Sequence, residues 1–269
     1  MFNDGYKEIT LLGQNVNSYL YFGGGQKKEF KKLTDEEQET AIDFADLLEL
    51  VALAVPNMRI RYSTSHPRDI NEKVVNIMAK YPNICNYIHL PVQSGNSDVL
   101  KRMNRGYTRE WYLDRIKSIR TILGDECGVS QDMIAGFCSE TEKDHQDTLS
   151  LLAEVEYDFG YMFAYSERPG TPAEKKLTDD VPEDVKMRRL QEIIDLQRIH
   201  SAKRNEMWVG RKVQVLVEGD SKKSKMHHFG KIDSNKVVVF PKGNEQKGDL
   251  IKVFVERATV TTLIGKIVN

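Results

Sequence analysis

Glu8-Ile9-Thr10-Leu11-Leu12-Gly13-Gln14-Asn15-Val16-Asn17-Ser18-Tyr19 is an apolar run of strand length, stopped by glycine and followed by a loop of amides and hydroxyls. The same unit recurs. Arg59-Ile60-Arg61-Tyr62-Ser63 runs into Thr64-Ser65-His66-Pro67, and Tyr87-Ile88-His89-Leu90 runs into Pro91-Val92-Gln93-Ser94-Gly95-Asn96. Val129 to Ala135 turns at Gly136, and Tyr161-Met162-Phe163-Ala164-Tyr165 ends at Ser166-Glu167-Arg168-Pro169-Gly170. Helical patterns separate these runs. Residues 41–54 with Val55 place Ile42, Ala45, Leu48, Val51 and Val55 at spacings of three and four, and further helices are expected over about 71–80 and 109–123. Ser139-Glu140-Thr141-Glu142 reads as a capping box before a helix to about Val155. A long polar helix follows Pro182, with Leu190, Ile193, Ile194 and Leu196 on its inner side. Alternating strands and helices predict an α/β fold, a parallel sheet with right-handed crossovers that is either doubly wound or barrel-like.

The pattern changes near residue 205. From 206 to 269 there are 12 Lys+Arg against 7 Asp+Glu, a net of +5, which leaves 27 against 33, a net of −6, upstream. A change of sign at a helix end predicts two domains, 1–205 and 206–269. The second domain shows short β-rich runs at 213–217, 236–240, 250–255 and 261–267, separated by Gly219-Asp220, Asp233-Ser234-Asn235 and Lys242-Gly243-Asn244. Several strands in so few residues predict a small antiparallel β-barrel of OB-like character. Lys222, Lys223 and Lys225 fall in one expected loop, with Lys231 and Lys236 beside a hairpin turn. Clustered ammonium groups on such a module suit a phosphate backbone, and Arg168 and Arg211 join them as expected RNA contacts. Phe229 offers a stacking face.

Composition excludes several classes. With 269 residues, 40% hydrophobic and 29% charged, the chain is globular rather than disordered. It has no run of the ~18 apolar residues that a membrane helix needs. Met1-Phe2-Asn3-Asp4-Gly5-Tyr6-Lys7-Glu8 does not read as a secretory signal, so a cytoplasmic protein is expected. Its three cysteines, Cys85, Cys127 and Cys138, lie 42 and 11 residues apart and fit neither a zinc knuckle nor a disulfide framework.

In a parallel sheet or barrel, chemistry gathers at the C-terminal ends of the strands, where the polar clusters fall. Amides and hydroxyls supply donors and acceptors together, which suits a ligand with an amino acid head and a ribose. The same residues also turn chains. His66 precedes proline and can face the strand ends, His89 reads as a satisfied core histidine, and Cys138 either lines a pocket or is a buried thiol. An α/β enzyme acting on a small phosphorylated ligand finds no GxxxxGK[ST] loop here. A non-catalytic RNA-binding protein, with the larger domain as scaffold, remains open.

The stretch 8–19 resembles a strand signature of the tRNA methylthiotransferases of the radical S-adenosylmethionine (SAM) superfamily, as do Ser63-Thr-Ser-His-Pro67, His89-Leu-Pro-Val-Gln-Ser-Gly95, Met103-Asn-Arg-Gly-Tyr-Thr108 and Tyr165-Ser-Glu-Arg-Pro-Gly-Thr-Pro172. Val215-Leu-Val-Glu-Gly219 and Asn235-Lys-Val-Val-Val-Phe240 are similar to the TRAM domain that closes these proteins. The resemblance implies a partial TIM-like radical-SAM barrel followed by a TRAM barrel. It implies transfer of a methylthio group to C2 of N6-isopentenyladenosine beside the tRNA anticodon, using SAM and two 4Fe-4S clusters. Gly13-Gln14-Asn15-Val16-Asn17 separates this branch from those acting on threonylcarbamoyl-adenosine or a ribosomal protein. Carried over, Gly13, Gln14, Asn15, Ser65, Gln93 and Asp132 contact the methionine and ribose of SAM, Tyr165 lies by the adenine or substrate, and Arg168 and the tail lysines hold tRNA. Neither a membrane nor an obligate protein partner is implied. The sequence departs from the pattern at Cys138, where the family has proline, and in lacking the Cys-x-x-x-Cys-x-x-Cys that holds the cluster. A C-terminal piece of a longer enzyme, inactive alone and binding none of these groups, is therefore expected.

Overall fold

The structure is a computed structural model and describes residues 5–25, 27–63 and 66–268. In chain order the elements are β1 (Glu8–Leu11), β2 (Leu20–Tyr21), α1 (Lys27–Phe30), α2 (Asp35–Glu39), β3 (Ile42–Asp43), α3 (Phe44–Ala54), β4 (Arg59–Tyr62), α4 (Glu72–Lys80), β5 (Tyr87–His89), α5 (Ser97–Arg102) and α6 (Arg109–Leu123). They continue as β6 (Gly128–Ala135), α7 (Glu142–Val155), β7 (Phe159–Ala164), α8 (Pro172–Lys176) and α9 (Glu183–Glu206). The remainder is all β: β8 (Lys212–Ser221), β9 (Ser224–Lys231), β10 (Val237–Pro241), β11 (Leu250–Ala258) and β12 (Leu263–Val268).

β1 pairs with β4, and β5, β6 and β7 pair in that order, all in parallel. A single parallel bridge, Ile60 to Ile84, joins the two groups into one arc. Several helices start at residues whose side chains accept hydrogen bonds from the free amides of the first turn, whereas α9 starts at Pro182 without such a cap. Asn71 caps α4, Thr108 caps α6, and Asp43 and Asp46 form a reciprocal box on α3. The box on α7 is Thr141 with Asp144. Ser139 does not start that helix, because it takes a left-handed backbone and binds Asp180 instead. The arc and its helices bury Leu48, Ile60, Val75, Ile88, Ile119, Val129, Met133 and Leu152 in one core.

β8–β12 form a closed barrel in the order β10-β12-β11-β8-β9, with Val215, Val238, Phe240, Val253, Val255 and Leu263 inside. The sequence predicts an antiparallel barrel, but β10 and β12 run parallel. β11 lies between them in sequence and crosses the barrel, so closure returns β12 to β10 in the same direction. β9 is absent from the sequence expectation, because its lysine-rich start reads as loop.

The two cores meet at a polar junction. Arg59 donates to the Lys231 and Gln214 carbonyls, and Arg61 to those of Ile232 and Asp233. A Cβ on Gly128 would collide with the Ser234 carbonyl, so glycine is what lets the β9–β10 turn seat beneath β6. At the centre is Asp158, 2% exposed in its side chain. It lies 2.6 Å from Lys236, 3.3 Å from Arg204 and 3.8 Å from Arg120, and accepts the Val129 amide at 2.8 Å. α9 is accordingly polar on its buried side: Lys186, Arg189, Gln197, Arg204 and Asn205 are buried with Ile193. Of the expected apolar inner face, Ile193 is buried and Leu190 and Leu196 pack partly buried against the same core, while polar residues with partners take the rest of that side.

Asp158→Ala would leave Lys236 and Arg204 buried without their counter-charge. A loss of about 3–5 kcal/mol is expected, read by urea unfolding. A loss below about 1 kcal/mol, as for an exposed pair, would mean that the junction does not hold the domains.

Candidate functional site

At the C-terminal ends of β6 and β7 lies a cavity of about 540 Å³ lined by Gln93, Arg105, Asp132, Ile134, Phe163, Tyr165 and Arg168, among others. Of the residues singled out in the sequence, the structure brings Gln93, Asp132, Tyr165 and Arg168 together here. Gln93 has φ of 76°, unusual for a residue with a side chain. Two backbone bonds hold it there: its amide donates to the Asp132 carbonyl, and its carbonyl accepts the Ile134 amide, both at 2.9 Å. The strain therefore lies at the cavity wall, where such outliers concentrate in functional sites. Tyr165 is 9% exposed, its ring edge-on to Phe137 at 4.9 Å and under the Lys186 ammonium at 5.6 Å. Burial raises its phenol pKa, as does the Cys138 thiol beside it, and its hydroxyl bonds no nitrogen or oxygen atom.

The remaining predicted residues lie elsewhere. Gly13 and Gln14 are exposed and do not line this cavity. Asn15 is engaged by the loop after β4: its side-chain amide donates to Asp69 at 2.6 Å and its side-chain carbonyl accepts the His66 backbone amide at 3.0 Å. Ser65 lies outside the described residues. Arg105 was missed, because nothing around it in sequence marks it as a strand-end residue.

β6 and β7 also build an inner face below the cavity. The register Ser130 to Phe159, Asp132 to Tyr161 and Ile134 to Phe163 puts these side chains on one side, with His89 of β5 beside Ser130. Tyr161 and Phe163 are 55% and 56% exposed there. His89 is a satisfied histidine as expected, yet its partners, Ser130 at 2.8 Å and Asp132 at 3.4 Å, belong to this face rather than to the apolar core.

The small barrel carries a second candidate surface. Phe229, Val239 and Ile264 are cross-strand neighbours on its outer wall. They floor a groove of about 480 Å³ edged by Lys222, Lys223, His227 and Arg257. Lys225 is exposed on β9 but does not line the groove. Lys231 is half-buried and lies 3.7 Å from Glu218. Lys236 must be corrected: it is buried at the junction, bonded to Asp158 and Asn205, and cannot meet an RNA phosphate. Arg211 pairs with Glu126 of the larger domain and stacks on Trp208 at 5.7 Å, so it also serves the junction.

The family model described as the Radical SAM superfamily matches residues 1–152, and that of the TRAM domain matches residues 207–268. The chain belongs to the radical SAM superfamily. It is 58% identical over 262 residues to a Christiangramia forsetii protein named tRNA-2-methylthio-N(6)-dimethylallyladenosine synthase, covering 97% of this chain and 54% of that one. A Flavobacterium johnsoniae protein of the same name is 54% identical over 269 residues, covering 100% and 56%. The chain thus spans about half the length of the curated relatives it matches. Among solved structures, coproporphyrinogen III oxidase from Escherichia coli, described as a radical SAM enzyme, aligns with a TM-score of 0.47 and 18% identity over 80% of this chain and 51% of that one.

The cavity fits the adenosyl part of SAM. Tyr165 brings a hydroxyl bonded to no nitrogen or oxygen atom, Asp132 a carboxylate and Gln93 a clamped backbone to one polar wall. The thiols do not fit a 4Fe-4S cluster. Cys85 and Cys127 precede β5 and β6 at the strands' N-terminal ends, while Cys138 follows β6 at the other end, and all three are buried. Burial pushes the Cys85 and Cys127 thiols up to about 12, whereas cluster iron needs thiolates. In the folded chain, iodoacetamide at about pH 8 should leave both unmodified by mass spectrometry, and urea should expose both. Fast alkylation of the native chain would contradict this burial.

Proposed function

We propose that this chain is the SAM- and RNA-binding half of an enzyme that adds a methylthio group to C2 of N6-isopentenyladenosine beside the tRNA anticodon, at position 37, and that, contrary to the sequence expectation, it keeps affinity for the adenosyl part of SAM by itself. We further propose that it divides at 205/206 and works in the cytoplasm. The observation that carries the reading is the identity of 58% and 54% over almost the whole chain to synthases of that modification. Among the described residues, no helix is long and apolar enough to cross a membrane.

Bound in the strand-end cavity, SAM would supply the hydrogen-abstracting adenosyl group and the methyl group. The chain's own residues bind and orient. Asp132 would accept from ribose hydroxyls, and Tyr165 would donate its retained proton. Arg168 and Arg105 at the rim would meet phosphate. Tyr161 and Phe163 offer faces on which the target base can stack once it leaves the anticodon loop.

RNA would reach this face from the small barrel. A cavity of about 420 Å³ between β7, α9 and the barrel shares Val237 and Thr261 with the basic groove and extends to Tyr161. Lys222 and Lys223 would hold phosphates there, while Phe229 presents a ring.

Two measurements test the reading. Reconstituted with iron and sulfide, this chain should yield no 5′-deoxyadenosine from SAM, since it lacks the cysteine triad; appreciable product would refute that. It should bind tRNA with a steep salt dependence. Lys222→Ala with Lys223→Ala should lower the slope of log K against log salt by about 2. An unchanged slope would remove the groove from the RNA path.

A further inference from the structure

On the inner face, Tyr87, Ser130 and His89 form a hydrogen-bonded chain whose histidine end faces the Asp132 carboxylate at the cavity. The Tyr87 hydroxyl lies 2.6 Å from Ser130 Oγ, Ser130 Oγ lies 2.8 Å from His89 Nδ1, and His89 Nε2 lies 3.4 Å from Asp132 Oδ1. The acceptor-only Asp132 carboxylate faces Nε2, so Nε2 carries the ring proton, Nδ1 accepts from Ser130, and Ser130 in turn accepts from the Tyr87 hydroxyl. Ser130 has one proton, and giving it to Nδ1 leaves Nε2 protonated and turned towards Asp132. This order gives every proton in the chain an acceptor.

The chain spans the inner face from end to end. Tyr87 at its lower end meets the Asn235 side chain from the β9–β10 turn. Asp132 at its upper end lines the cavity with its side chain 29% exposed, while His89 is 14% exposed. Tyr161 stands edge-on to the histidine ring at 6.1 Å. An exposed carboxylate has several rotamers, and one partner that cannot move selects among them. Ser130 supplies that immobility, being 0% exposed and bonded on both sides.

We propose that His89 is a positioning residue, its tautomer set by Ser130, that orients the Asp132 carboxylate towards an adenosyl ligand in the strand-end cavity. This rests on the reading of that cavity given above. His89 itself touches no ligand atom in the proposal; its effect passes through Asp132.

The test uses the 269-residue chain with S-adenosylhomocysteine as probe, calorimetric dissociation constants, and melting temperatures to confirm folding. Asp132→Asn should weaken binding about tenfold, the loss of one charge-assisted hydrogen bond. His89→Asn, too short to reach Asp132, should weaken it similarly. His89→Gln, whose amide nitrogen reaches the Nε2 position, should stay within about threefold of the parent chain. If Asp132→Asn weakens binding and His89→Asn does not, the positioning role is overturned. If Asn and Gln at 89 are equally weak, the ring only fills space and the role is again overturned. If the parent chain fails to bind the probe or Asp132→Asn has no effect, the reading of the cavity fails instead. The ring nitrogens then decide the histidine independently. Nitrogen-15 spectra should show His89 protonated at Nε2, with Nδ1 shifting on Ser130→Ala, and the opposite tautomer would overturn the proposal.

Discussion

Asp158 gathers three cations from three parts of the chain: Arg120 from α6, Arg204 from α9 and Lys236 from the β9–β10 connection. A lone carboxylate so deeply buried would be far too costly, and so would any one of those cations without it. Their mutual dependence fixes where the small barrel sits. The turn that carries Lys236 lies beneath the N-terminal ends of β5, β6 and β7. There Arg61 binds the turn's carbonyls, and Gly128 makes room for Ser234. The arc is thereby closed at one end by the second domain and left open at the other, where the cavity lies. Burial leaves the Lys236 pKa below its ordinary value, and Asp158 opposes that shift through its charge and hydrogen bond.

The inner face is informative because parallel sheets covered on both sides are normally apolar on both. β6 departs from this on alternate residues: Val129 and Met133 face the helices, whereas Ser130 and Asp132 face inward. The outer side of β6 follows the packing rule at Val129, Met133 and Ala135 and departs from it at Gln131, which is fully buried there. Polar groups and exposed aromatic rings together on the other side are what a ligand-bearing surface needs, since they cost stability unless something occupies them.

Strands β1, β4, β5, β6 and β7 and helices α4, α6, α7 and α9 were legible because apolar period, length and stop residues agreed. The joint between β4 and β5 was not, since one bridge leaves no pattern in sequence. β9 was hidden because its outward residues are lysines and histidines. The polar buried side of α9 was hidden for a related reason: burial of Arg189 or Arg204 depends on Glu140 and Asp158, which lie far off in the chain. In the site, Gln93, Asp132 and Tyr165 were found by their place at strand ends. The contact of His89 with Asp132 required the register between β5 and β6, and Arg105, in the loop between α5 and α6, required the fold of that loop over the strand ends.

Lys236 and Lys222 show why charge counted along a chain locates a nucleic-acid surface only coarsely. Both contribute equally to the net of +5 in residues 206–269. One neutralises an internal carboxylate and adds nothing to the field outside, while the other stands at the edge of an open groove. Arg211 is drawn off similarly by Glu126. The outward field of the small barrel therefore comes from fewer cations than its composition suggests, and those at the groove surround an apolar floor. A phosphate backbone with bases that can stack meets both halves of that surface, the rim by charge and the floor by ring contact.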